Sequence, residues 1–134
     1  MASENVELVR SIYAASERGD FGSAEWAHPD IEYVIADGPD PGTWTGLADM
    51  AQEVRDRLGN WEDYRLEAEE YRELDDERVL VLVRRGGRGK TSGLELDGIG
   101  TEGAQLLHIR DGKITRYVTW ADRERAFADL ALKE

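Results

Sequence analysis

The sequence contains no cysteine, which excludes disulfides, thiolate chemistry and cysteine-ligated zinc. It also lacks long apolar runs. The longest, Val79 to Val83, falls far short of the roughly 20 residues a membrane-spanning helix needs. Met1-Ala2-Ser3-Glu4-Asn5 is not a basic segment followed by an apolar one, so no signal peptide is read there and a cytoplasmic location is expected. Positive charge is scarce: 17 lysines and arginines against 29 aspartates and glutamates leave a net charge of −12. Such a surface repels phosphate backbones and anionic headgroups, so neither nucleic acid nor a membrane is expected as a partner. The two histidines, His28 and His108, share no short spacing, and no metal site is expected. A Gly-x-Ser-x-Gly elbow, a dinucleotide fingerprint and a calcium loop are missing, and no cofactor is expected. The run Arg84 to Thr91 imitates a phosphate-binding loop, but Arg84 stands where its first glycine belongs. It reads as a solvated basic hairpin whose charges can pair with Glu67, Glu69 and Glu70 on a neighbouring strand.

What is present is an ordinary globular mixture, 40% apolar and 34% charged, over 134 residues, which suits one domain spanning residues 1–134. The first half reads helical and the second half reads as strands, so the expected class is α+β. Val6, Val9 and Tyr13, with Leu8, Ile12 and Ala15, recur at helical spacing after Ser3, a natural cap, and Gly19 closes that helix. A short second helix is expected from Asp20, carrying Phe21, Ala24 and Trp26 and ending at His28-Pro29. Ile31 to Ala36 reads as a strand and Asp37 to Gly42 as a turn-rich loop. Leu47, Met50, Ala51, Val54 and Leu58 then form the clearest amphipathic pattern in the chain, with Thr45 as its expected cap. Strands follow at roughly 64–73, 78–86, 90–98, 103–110 and 114–120. Asp111-Gly112 is a strong hairpin signal, and Asp122 caps a short final helix with Ala126, Phe127, Leu130 and Ala131 on one side. A twisted sheet wrapped around helices leaves a hollow where its strands splay, a natural place for a ligand.

Asn5 to Arg10 leading to Arg18-Gly19-Asp20-Phe21, then His28 to Tyr33, Thr43-Trp44-Thr45-Gly46, and Ile109 to Ile114 follow one another in an order. That order resembles the nuclear transport factor 2-like superfamily, in its SnoaL-like and ketosteroid-isomerase-like branch. The resemblance implies a cystatin-like α+β barrel: a cone-shaped, curved, mostly antiparallel sheet wrapped around three N-terminal helices, with a short C-terminal helix. It also implies a homodimer joined through the outer face of the sheet. The family includes isomerases, cyclases, dehydratases, hydrolases and non-catalytic modules, so it implies no single activity. The position of the ketosteroid isomerase base falls at Ile35, and the nearest acid is Asp37, two residues on and of the same strand parity. The family's helix tyrosine falls at Ile12, with Tyr13 one residue off, and its protonated acid falls at Gln105. The acid/base aspartate of SnoaL-type cyclases falls at Thr119.

The candidate site follows from strand parity. Placing Gln105 inward places Leu107 and Ile109 inward on one strand, and Thr115, Tyr117 and Thr119 on the next. Val118 and Trp120 then face outward, which calls for a dimer partner or the C-terminal helix to cover them. Asp37 and Asp40 flank the expected mouth. They are either turn residues bonding their own backbone or, for Asp37, a general base whose pKa an apolar pocket would raise. Tyr33, at strand spacing from Ile31 and Ile35, is either packing or a hydroxyl that polarises a carbonyl. Trp26 and Trp44 serve either the core or the walls of a site for a flat ligand. The expected catalytic residues are thus Asp37 and Tyr33. The expected ligand-binding residues are Tyr13, Trp26, Trp44, Gln105, Tyr117 and Thr119, and the expected partner is a small apolar or polycyclic molecule. Isomerase or cyclase chemistry by proton transfer competes with a binding or dimerisation module that performs no chemistry.

Overall fold

The helical spacing of Val6, Val9 and Tyr13 produces α1 (Glu4–Glu17), whose buried stripe is those three residues, with Leu8 and Ile12 packed beside them. The computed structural model describes residues 4–17, 26–36, 41–58, 61–89 and 102–131. The expected second helix lies mostly in 18–25, outside the described residues, as do Asp37, Asp40, the expected strand at 90–98 and the Ser3 cap. The side chains of Ala15, Val54 and Leu58 also lie outside the description.

The first strand, β1 (Ala27–Ile35), begins four residues before the expected Ile31. His28-Pro29 therefore opens a strand here, where the sequence suggested the end of a helix. The ladder slips between Ala27 and Glu32, an irregularity that tolerates a proline. Gly42, the last residue of the expected loop, opens β2 (Gly42–Thr45), which pairs antiparallel with β1, matching Tyr33 with Trp44 and Glu32 with Thr45. Four residues are too few for alternation to register as a strand in sequence. Thr45 consequently belongs to the sheet and does not cap α2 (Leu47–Leu58). Gly46 stands at the cap position with φ +95°, a conformation that strains a residue with a side chain. Its N–H donates to Ile31 O at 2.8 Å and its carbonyl accepts from Met50 N at 3.0 Å.

The remaining strands are β3 (Trp61–Glu73), β4 (Arg78–Gly89), β5 (Glu102–Arg110) and β6 (Lys113–Trp120). Asp111 and Gly112 both have positive φ, +52° and +75°, giving the mirror-image turn that the Asp-Gly signal predicts. The six strands form one sheet in the order β2-β1-β6-β5-β4-β3. β1 and β6 are parallel and every other pair is antiparallel. The chain is therefore α+β, as expected.

Two cores lie on opposite faces of this sheet. The inner one joins α1 and Met50 of α2 to Ile31, Val79, Val81, Val83, Leu107, Ile109 and Ile114. The outer one contains Leu80, Leu82, Ala104, Leu106, Val118 and Trp120, covered by Ala126 and Phe127 of α3 (Arg123–Asp129). Helices thus occupy both faces. Of the two covers anticipated for Val118 and Trp120, the C-terminal helix is the one found in this chain. Asp122 caps α3 as expected, accepting from Glu124 N at 3.0 Å, and Trp120 Nε1 donates to Asp129 Oδ2 at 2.9 Å. Arg123 binds Val83 O, Gly103 O, Glu69 and Glu102 at 2.7–3.1 Å, tying α3 to three strands. Arg84 reaches Glu69 at 3.5 Å, one of the cross-sheet pairs the basic run was expected to make. No helix among the described residues is long and apolar enough to cross a membrane.

Candidate functional site

Strand register assembles the site in two neighbouring rows. One runs Trp44, Tyr33, Tyr117 and Leu107 across β2, β1, β6 and β5. The next runs Ile35, Thr119, Gln105, Val81 and Tyr71 across β1, β6, β5, β4 and β3. Neighbouring strands lie about 4.8 Å apart, so side chains facing the same way along a row touch.

Gln105, at 8% exposure, is the only buried non-aromatic polar side chain among the described residues. A buried amide must be hydrogen-bonded or it destabilises the fold. Its Oε1 accepts from the Tyr117 hydroxyl at 2.6 Å and from the Tyr13 hydroxyl, which α1 brings down onto the sheet. Its Nε2 donates to Thr119 Oγ1 at 3.3 Å. The two tyrosine oxygens lie 3.4 Å apart. Tyr13 is only 2% exposed, and burial, followed by the neighbouring Tyr117, holds its phenol well above the usual tyrosine range. It is therefore a neutral hydrogen-bond donor at physiological pH.

Aromatic rings flank this network. Tyr33 lies 5.6 Å from Tyr117 and 6.1 Å from Trp44 between ring centroids, and Trp26 lies 6.4 Å from Tyr117. All four are half-buried, so they form the partly open side of the inner face. Gly42 leaves room for the Trp44 ring, whose nearest atom would stand 3.0 Å from an added Cβ.

Of the residues expected from sequence, Tyr13, Gln105, Tyr117 and Thr119 form one hydrogen-bonded group, and Trp26, Tyr33 and Trp44 stand beside it. Asp37 lies outside the described residues. Tyr13, rather than Ile12, reaches Gln105, one residue and about 100° around the helix from the position suggested by resemblance. Inward Thr115 needs correction. The ladder slips between His108 and Ile109, so Ile114 joins the inner core and Thr115 Oγ1 donates to His108 O at 3.4 Å.

Tyr71 was missed altogether. Its ring meets Tyr13 edge-on at 6.1 Å, and the Arg10 guanidinium lies over it, 4.7 Å from the ring centre. A bulge between Ala68 and Glu70 puts Ala68 and Tyr71 on the same face, three residues apart, which simple alternation forbids. Only recognition of that bulge would have pointed to Tyr71.

The sequence profile of the SnoaL-like domain matches residues 9–117. No curated protein matches the sequence. Among solved structures, an NTF2-like protein of unknown function from Burkholderia pseudomallei is 22% identical, with 95% of this chain and 97% of that one covered and a TM-score of 0.76. TerC, co-crystallised with polyporic acid, is 28% identical, with 96% and 98% covered and a TM-score of 0.73. A protein with a ketosteroid isomerase-like fold from Catenulispora acidiphila, in complex with trimethylamine, is 18% identical, with 95% and 94% covered and a TM-score of 0.69.

Proposed function

The chain belongs to the SnoaL-like family of NTF2-like domains, and on that premise we propose that its inner sheet face binds a small, largely apolar aromatic or polycyclic molecule. The observation that carries this reading is the pairing of one buried hydroxyl–amide network with half-buried aromatic rings at its side. Flat apolar walls with a few convergent polar groups are what a small-molecule site requires. Polyporic acid and trimethylamine in structural neighbours are consistent with it. In this reading the sheet curls into a cone around the helices and leaves the inner face hollow beside Tyr33, Trp26 and Trp44. Two copies associate through the outer sheet face around α3, and the protein works in the cytoplasm.

The catalytic form of the proposal is an isomerase or cyclase acting by proton transfer. Asp37, two residues beyond Ile35, is the base, and Tyr33 polarises a ligand carbonyl. A non-catalytic binding or dimerisation module is the second reading. It is favoured by the make-up of the bonded group, two phenols, an amide and an aliphatic hydroxyl, none of which is a base near neutral pH.

Titration with polyporic acid, followed by tryptophan fluorescence, tests the binding. Saturable quenching that weakens in Trp44→Leu supports it; quenching that never saturates, or that ignores the substitution, refutes it. Chromatography of the same mixtures separates the two forms. Conversion by the wild type that is lost in Asp37→Asn assigns the base, whereas unchanged polyporic acid favours binding alone. Sedimentation tests the association, and a strictly monomeric mass at micromolar concentration contradicts it.

A further inference from the structure

The rings at the partly open end of the inner face do not stack on one another. Trp44, Tyr33 and Tyr117 stand at directly paired positions on β2, β1 and β6. Tyr33 is inclined at 44° to Trp44 and at 62° to Tyr117, and Trp26 is inclined at 47° to Tyr117. A flat body can lie parallel to only one ring of such a set, whereas a rounded group can touch the faces of several. Those faces carry the negative side of the ring quadrupole. The two rows that build the site, Trp44 to Leu107 and Ile35 to Tyr71, contain no charged side chain. Arg10 sits over Tyr71 on β3, at the far end of the second row and three strands from Tyr117 on β6. Around the site the chain carries a net charge of −12, whose field draws cations toward it.

We propose that the aromatic end of the site takes the N-methylated ammonium head of a ligand, held by cation–π contact with Tyr33, Tyr117, Trp26 and Trp44. This rests on the binding reading above and adds a positive charge to the ligand. The neighbouring network decides that the head is alkylated. A primary ammonium brings three N–H donors, each wanting an acceptor. Gln105 Oε1 already accepts from Tyr13 and Tyr117, which fills its two lone pairs, and Thr119 Oγ1 already accepts from Gln105 Nε2. A fully methylated head has no N–H to satisfy, and its charge is spread over methyl groups that lie against the ring faces. The apolar body of the ligand continues along the inner face. A neutral head of the same shape fills the same volume without attraction to the quadrupoles.

The test uses phenyltrimethylammonium and tert-butylbenzene, which share a shape and differ in charge. Each is titrated into 15N-labelled protein while the indole N–H signals of Trp26 and Trp44 are followed. The ammonium compound should bind at least as tightly as the hydrocarbon, although water holds it more strongly. Tyr33→Leu keeps an apolar wall and removes a ring. It should weaken phenyltrimethylammonium roughly fivefold and leave tert-butylbenzene nearly unchanged. Tyr33→Phe keeps the ring and should bind both as wild type does. Trp26→Leu, followed on Trp44, should repeat the selective loss. The selectivity should persist in about 1 M salt, where the Debye length of about 3 Å screens the field of the whole chain. Weaker binding of the ammonium compound than of the hydrocarbon, equal weakening of both by the two leucine variants, or selectivity that vanishes in salt overturns the proposal. If polyporic acid still shifts the indole signals, the binding reading stands without it. If polyporic acid also leaves them unmoved, both fall.

Discussion

The two faces of the sheet solve the same burial problem with different materials. The outer face is apolar beneath α3: Leu80, Leu82, Leu106 and Val118 meet Ala126 and Phe127, and the polar groups of α3 are tied off at its edges by Arg123, Asp122 and Asp129. The inner face has an aliphatic end, with Val79, Leu107 and Ile109 beneath α1. Its other end holds the Gln105 network and a rank of half-buried rings. Polar groups in a core are a burden unless they do something. The contrast teaches that stability resides chiefly on the outer face and in the aliphatic inner end, and it leaves the polar inner end as the place where the proposed ligand site lies.

Substitutions on the two faces should therefore separate stability from binding. Leu80→Ala and Phe127→Ala cut into the outer core and should each cost about 3–4 kcal/mol in urea unfolding. Polyporic acid should bind the protein that remains folded as it binds wild type. A loss of affinity without a loss of stability would break the comparison. Arg123→Ala leaves Val83 O and Gly103 O without their side-chain donor and should cost roughly 1–3 kcal/mol. The Arg123 guanidinium also holds the Glu69 carboxyl below its usual range, with burial opposing and Arg84 assisting. A depressed folded-state pKa means that this contribution is present above pH 4.5 and is lost as pH falls through the lower folded value. Because Glu69 is exposed, the effect should be small and should shrink further in salt.

On the inner face Tyr13→Phe should cost only about 1 kcal/mol, since Tyr117 still serves the amide oxygen. Its phenol is held above its usual range, so its contribution is complete below pH 10 and fades as pH rises through the higher folded value. The smallest effect expected is at His108, half-buried on the outer face between Arg78 and Arg116. Burial, then those arginines, depress its pKa, with Asp75 and Glu77 opposing. The unfolded chain takes up this proton first, so the term stabilises above pH 6.5 and is lost as pH falls toward the folded value. An NMR titration should find the midpoint below 6.5, and Arg116→Ala should raise it. A midpoint at or above 6.5 contradicts the placement.

Much of this was legible in the sequence because it follows from period alone. The helical periods of α1 and α2, the Asp111-Gly112 turn and the Asp122 cap are local signals, and each of these elements forms where its residues predict. Gln105, Tyr117 and Thr119 were legible together because uninterrupted alternation fixes their common face. What the sequence hid was irregular. Bulges beside Glu69 and Thr115 reverse the parity on which Tyr71 and Ile114 depend. A four-residue strand leaves no periodic trace, so β2 is not legible and Thr45 reads as a cap. His28-Pro29 carries a helix-stop signal, yet pairing with β6 draws it into β1. Such outcomes are set by tertiary pairing, which local propensity does not encode.

The most direct test of the division between the faces is an indole N–H titration of 15N-tryptophan protein with polyporic acid. The signals of Trp26 and Trp44 should move together and saturate, while that of Trp120, bonded to Asp129 beneath α3, stays fixed. Movement of Trp120 with Trp26 and Trp44 unchanged would place the ligand on the wrong face and contradict the account.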